Sequence, residues 1–339
     1  MQKRYLSLIK SLLKHYSDNK VKKLGIPLII ASTYGHLEVV KHFISIGVYI
    51  ESRNDNRMTP LIVASKNGHL EVVKYLISAG ANKEAKDKDG FTQLTNASVN
   101  CHLEVVKYLV SAGADIEATD KFQFTPLIEA SKFSLLEIVQ YLVSAGANKE
   151  AKDDWGRNSL ICASENGHLE VVNYLVTVGA NKEAKDMQEF TPLVYASKEG
   201  HLDVVEYLIS VGANRKAKTR SKSNPLICAS ENGHLEVVKY LISIEIDKES
   251  MNDSRSTSLN YASGNGHLEI VKYLISVGTD KDAKNKNGYT SLMSASHNGY
   301  LEVVKYLISV GADKEAKNFS GKTALDLAAG LVKNDLLSL

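Results

Sequence analysis

One interval, 33 residues, organises this chain almost from end to end. His-Leu-Glu recurs at His36, His69, His102, His168, His234 and His267, and His-Leu-Asp at His201, always at 33 residues or a multiple of it. The gap in the series holds Leu135-Leu136-Glu137, and the series closes on Tyr300-Leu301-Glu302. Self-similarity at a period of roughly 20–50 residues marks an architecture in which each unit is too small to bury its own apolar face and must stack on its neighbours. The expected division is a capping helix at 1–20, nine repeats at 21–317 and a partial capping repeat at 318–339, with no room for a second domain.

The residues inside one unit dictate its shape. All five prolines, Pro27, Pro60, Pro126, Pro192 and Pro225, fall at the seventh position, and the sixth is Thr or Asn in every unit after the first. Thr or Asn as N-cap followed by Pro at the first helical position starts a helix, since the side-chain oxygen takes an orphan N–H and proline has none to lose. The first helix then reads Leu-x-x-Ala-Ser and stops at Gly68 and its equivalents. The second reads His-Leu-Glu-Val-Val-Lys-Tyr-Leu-Ile-Ser, which predicts a buried face at Leu70, Val73, Leu76 and Ile77, and it stops at Gly80 and its equivalents. A polar Ala-Asn-Lys-Glu-Ala-Lys-Asp stretch follows and predicts an extended finger leading into the next unit, its charges self-cancelling and solvated.

The 33-residue period, with Thr-Pro-Leu-x-x-Ala and Gly-His-Leu-Glu-Val-Val-Lys-Tyr-Leu, resembles the ankyrin-repeat family over essentially the whole chain. The near-identical units are similar to the expanded tandem arrays of some unicellular eukaryotes. The resemblance implies an all-α solenoid of nine helix–turn–helix units with finger loops, and binding of a protein partner through finger tips and the groove lined by the first helices. One departure is systematic. The family's His after Thr-Pro-Leu is here Ile29, Ile62, Ile128, Ile161 or Ile227, or another residue, so packing is expected to replace a polar tie between repeats.

Enzymatic chemistry finds no foothold. Seven of the ten histidines share one repeat position. Stacked helices stand roughly 8–10 Å apart, too far for neighbouring imidazoles to share an ion bound at about 2 Å, so a capping role at the start of the second helix is the expectation. Gly321-Lys322-Thr323 mimics the end of a phosphate loop, but Ala316 stands where the first glycine belongs. There is no nucleophile elbow, zinc-protease signature or dinucleotide fingerprint, so no catalytic residue, metal or cofactor is expected. Cys101, Cys162 and Cys228 form no CxxC pattern, and a reducing compartment with three free thiols is expected, hence the cytoplasm. The net charge of +2 offers no global field for nucleic acid, and no apolar run is long enough to span a bilayer; a monomer is expected. The segment 1–23 carries seven Lys or Arg against Asp18, with an apolar stripe at Leu6, Ile9, Leu13 and Tyr16; a cap is preferred to a membrane anchor there.

Function is therefore sought in what does not repeat. Most finger tips hold Asp, Asn, Ser or Lys, but units four to six hold Phe122, Phe124, Trp155, Met187 and Phe190, with Phe133 on the turn between the helices of unit four. Aromatics and Met in one zone suit a protein interface. The alternative is electrostatic attachment to an acidic or phosphorylated partner, or an anionic surface, through the basic N-terminal helix or the run Arg215, Lys216, Lys218, Arg220 and Lys222, which also resembles a nuclear-import sequence. The tyrosine column at Tyr75 and its equivalents is expected to be scaffold. Two sets of irregularities complete the reading: Glu245-Ile246 replaces Gly-Ala in unit seven, predicting a weak seam, and Cys101, Ser134 and Leu135 replace the usual Gly and His in units three and four.

Overall fold

The computed structural model describes residues 24–328 and Lys333; the expected cap at 1–20 lies outside them. Nineteen helices and no strand occur among the described residues. They belong to two units, Met1–Ser159 and Leu160–Leu339, each a run of helix pairs.

Within the first unit the first helices of successive repeats, Gly25–Thr33, Pro60–Lys66, Gln93–Val99 and Pro126–Lys132, lie one on the next. The second helices, Leu37–Ser45, Leu70–Ser78, Leu103–Ser111 and Leu136–Ser144, form a parallel row. The second unit repeats the arrangement, with Pro192–Glu199, Pro225–Glu231, Ser258–Gly264, Ser291–Asn298 and Ala324–Leu327 as stacked first helices. Helices of seven to nine residues are marginal alone in water, so stacking supplies what length does not.

The caps form as the sequence predicts. Thr59, Thr92, Thr125, Thr191, Asn224, Thr257 and Thr290 each accept the backbone N–H three residues on. The buried face of the second helix differs from the expectation: Val72, Val73 and Leu76 are sealed, while Leu70 and Ile77 are only half-buried. The second helix meets both its own first helix and the neighbouring second helices, and the Val-Val pair is its sealed part. Small residues let the first helices approach. Ala64, Ala97 and Ala130 and the serines after them are fully buried, and Ser98 donates to the Leu94 carbonyl at 2.8 Å.

Most of the polar repetition proves to be ties between neighbouring repeats. No second-helix histidine caps its own helix. Instead His69, His102, His201 and His267 place Nε2 2.8–3.0 Å from the carbonyls of Thr33, Lys66, Glu165 and Glu231, at the end of the previous repeat's first helix. A carbonyl only accepts, so Nε2 carries the proton. The ring lies flat over the preceding repeat's turn glycine: a Cβ on Gly35 or Gly68 would stand 2.5 Å from Nδ1 of His69 or His102. Capping is thus corrected to an inter-repeat tie, and the polar link expected to be absent is supplied from the second helix. Cys101 stands where the glycine of such a joint belongs and Leu135, in the next repeat, where its histidine belongs; Ser134 takes the glycine position before a retained His168.

The Lys-Glu-Ala-Lys fingers are likewise not idle charge. In the first three positions Lys83 bonds the Ala112 and Gly113 carbonyls ending the next second helix, Glu84 accepts the Asp115 N–H at 3.0 Å, and Ala85 is buried. Lys86 completes the motif by reaching the Thr119 carbonyl at 2.6 Å. A lysine near a helix C-terminus offsets the dipole as well as a lone pair. Tyr141, in the half-buried tyrosine column, reaches back to the Lys107 carbonyl at 3.4 Å, as a scaffold position would.

Candidate functional site

Each finger tip is folded by its first residue. The Asp or Asn carboxamide or carboxylate oxygen accepts the backbone N–H groups two and four residues on: Asp120 takes those of Phe122 and Phe124 at 2.8 and 2.9 Å, and Asp153 those of Trp155 and Arg157 at 2.9 and 2.8 Å. This Asx turn forces the fourth residue to positive φ, glycine at Gly90 and Gly156 but Gln123 at +62° in between. It also fixes where the third side chain points. That third residue is Asn56, Asp89, Gln188, Ser221, Ser254, Asn287 or Ser320 elsewhere, and Phe122 and Trp155 here.

The Asp154 N–H bonds the Phe122 carbonyl at 3.1 Å, which joins these two tips. Their rings pack with centroids 5.7 Å apart, and Phe124 closes a triangle at 6.5 Å from Phe122 and 5.9 Å from Trp155. Phe122 keeps 42% and Trp155 47% of its surface exposed, whereas Phe124 keeps 5% and lies beneath them. Three cations hold the group in place. Arg157 sits 5.0 Å from the Trp155 ring centre while its Nε donates to buried Asp153 at 2.8 Å. Lys132 Nζ lies 5.0 Å from Phe124 and 5.2 Å from Phe133, the half-exposed C-cap of Pro126–Lys132, and Lys121 covers Phe122 at 5.2 Å while pairing with Asp89. Four of the six aromatic and Met candidates therefore form one cluster: Phe122, Phe124 and Trp155 directly, and Phe133 through Lys132.

Met187 and Phe190 belong to the other unit. Met187 is 57% exposed, but Phe190 lies tilted against Tyr195 with ring centres 5.0 Å apart and packs against Val194, Ala217 and Cys228. Phe190 and Phe124 share a repeat position with Met58, Phe91 and Tyr289. That column is filler beneath the tip, and the period alone could have revealed it. The anchoring roles of Lys132 and Arg157 carried no sequence signal, since both look like ordinary surface bases.

Beneath the cluster lies an anomaly. The first residue of several fingers meets a partner nine residues on: Asn96 donates to Asp87 at 3.1 Å, Tyr195 to Asp186 at 2.8 Å, and Asn252 pairs with Tyr261 at 2.8 Å. In repeat four that partner is Glu129, buried at 3% near Asp120 at 6%. Burial pushes the Glu129 carboxyl above its usual range, Asp120 adds to the rise, and Lys132 opposes it.

The basic run surrounds the next tips of the second unit. All five of its cations are exposed; Arg215 bonds the Ile244 carbonyl at 2.7 Å, and Lys222 pairs with Asp253 at 2.7 Å, which raises its pKa. Cys101, Cys162 and Cys228 are free thiols, and burial pushes that of Cys228 up to about 12, far from nucleophilic. Among the described residues no three His, Cys, Asp or Glu side chains gather as a metal would need, and no helix is long and apolar enough to cross a membrane. A family model described as ankyrin repeats in three copies matches the chain repeatedly, over residues 1–87, 28–120, 72–153, 94–186, 127–219, 193–285 and 259–336. No curated protein matches it significantly.

Proposed function

The chain belongs to the ankyrin-repeat family, whose repeats generally mediate protein–protein interaction, and we propose that it is a non-catalytic scaffold gripping a protein partner through Phe122 and Trp155. The observation that carries this reading is the ring pair itself: two large aromatics 5.7 Å apart on adjacent tips, each over 40% exposed, at a tip position that is polar in every other repeat. Rings already ordered by a buried layer and by cations lose little entropy on binding, as interface anchors should. Phe133, half-exposed on the same patch, extends the contact; Phe124 supports it from below.

The test uses the full chain as bait for quantitative capture, followed by titration of the recovered partner. Truncating a central interface aromatic typically costs about 2 kcal/mol or more, roughly thirtyfold in affinity. Trp155→Ala and Phe122→Ala should each lose that factor with the circular dichroism spectrum unchanged. Tyr306→Ala, in the scaffold column, should lower stability and leave affinity alone. Full affinity in both aromatic variants refutes the reading.

A further inference from the structure

The finger joining repeats six and seven breaks two rules that the others keep. Where Glu51, Glu84, Glu117, Glu183 and Glu249 accept a backbone N–H from the following repeat, this finger has Lys216, and no such bond reaches Asp247. Where the other described tips begin with Asp or Asn, this one begins with Thr219. The first change deletes an acceptor and reverses a charge; the second keeps one of the two turn bonds, Thr219 Oγ1 accepting the Ser223 N–H at 3.1 Å, and gives up the other.

Beside them lies an open cleft of about 910 Å³ bordered by Lys182, Lys185, Lys216, Lys218, Arg220 and Lys222. Only two carboxylates line it, and both are occupied: Glu189 pairs with Lys185 at 2.9 Å, and Glu183 accepts the Asn214 N–H at 2.8 Å. Lys182 and Lys222 are engaged as well, with the Val211 carbonyl and with Asp253. Among the described residues no carboxylate comes within ion-pair distance of Lys216, Lys218 or Arg220. Lys218 also lacks the carbonyl that Lys86 and Lys284 grip from the same repeat position. The chain thus gives up two of its own structural bonds here and leaves three adjacent cations outside any ion pair, Arg220 acting on Glu189 only at a distance.

From this cleft we infer that repeats six and seven bind an acidic polypeptide segment, a run of Asp and Glu side chains on a partner protein. This goes beyond the aromatic site and stands independently of it. The cations are spread along a recess rather than focused on one point, which matches carboxylates spaced along a chain rather than a single anion. A membrane surface fits poorly because the charges line a concavity. Single-stranded nucleic acid fits poorly because no aromatic side chain lines the cleft to stack a base.

The test measures fluorescence anisotropy of labelled oligoglutamate with the full chain, beside oligoglutamine, a single-stranded oligonucleotide and phosphatidylserine vesicles. Lys216→Glu is the informative variant, because it restores the residue that other repeats use and should fold at least as well as the parent. Oligoglutamate should bind, oligoglutamine should not, and affinity should fall roughly tenfold between about 50 mM and about 200 mM salt. Lys216→Glu with Arg220→Glu should lower affinity about tenfold or more, while Lys286→Glu at another tip of the same unit leaves it within about twofold. The inference is overturned if oligoglutamate does not bind, if binding survives the double variant, or if the oligonucleotide or vesicles bind more tightly with the same dependence.

Discussion

Glu245 is a strained point in the scaffold. Eight of nine repeats end the second helix on glycine, and Glu245 adopts the same left-handed backbone at φ +62°. An L-residue held there costs roughly 1–2 kcal/mol, and the extra freedom of glycine in the unfolded chain returns about 0.5–1 of it. Nothing steric enters, since a Cβ on Gly47, Gly80, Gly146 or Gly179 would meet no atom within 4 Å. Glu245→Gly should therefore stabilise by about 0.5–1 kcal/mol. The neighbouring Ile246 argues against restoring Gly-Ala together. Ile246 is 8% exposed, as buried as Val48 and Ala81 in its column, so Ile246→Ala removes packed methyl groups, at a cost near the lower end of about 2–5 kcal/mol. The single variant should thus gain stability and the double variant should fall below the parent. Stability in such arrays is close to a sum over units and interfaces, so a global midpoint dilutes the effect. Urea denaturation should accordingly be combined with amide exchange over residues 243–257. Unchanged protection there in Glu245→Gly, or a double variant more stable than the single, would refute the reasoning.

Two further outcomes follow from the inter-repeat ties and the buried acids. Gly200→Cys should cost at least about 2 kcal/mol, since its side chain would overlap the His234 ring; adding His234→Leu should recover about 1 kcal/mol or more, as the natural pair Cys101 and Leu135 implies, and strictly additive costs in a denaturation cycle would sink that pairing. The folded chain holds the Glu129 proton more tightly than the unfolded chain does, so the contribution of this group to stability should be fully present below the ordinary glutamate range and be lost as pH rises from there through the raised value. Glu129→Asn, which gives Asp120 the donor that Asp87 has in Asn96, should remove that slope and add about 1–2 kcal/mol at neutral pH; an unaltered pH profile of the urea midpoint would contradict it.

What could be read from sequence was whatever acts within a few residues. The Thr-Pro starts and the glycine stops work through their own backbone, and the structure has them as written. The roles of His69, Lys83, Glu84 and Lys86 were not legible, because their partners stand 29–36 residues away and a periodic residue looks the same whether it faces water or the next repeat. Phe122 and Trp155 stood out because they break the pattern. Phe124 and Phe190 share their aromatic type but not their position; their column places them under the tip. Lys132 and Arg157 show the opposite limit: a cation becomes a clamp for aromatic rings only once the fold sets it over them.

The ties from histidine, lysine and glutamate all reach a single repeat forward or back, so each joint is a plug and socket of standard gauge. A chain of such joints can lengthen or shorten by whole units of 33 residues, provided the exchanged ends carry the common fitting. The Cys101–Leu135 joint has a different fitting. Removing residues 87–119 would set Leu135 against Gly68, a joint with neither the histidine's hydrogen bond nor its ring over the glycine. A whole-unit exchange across a non-standard joint of this kind leaves unmatched fittings face to face, which the same exchange at a standard joint does not.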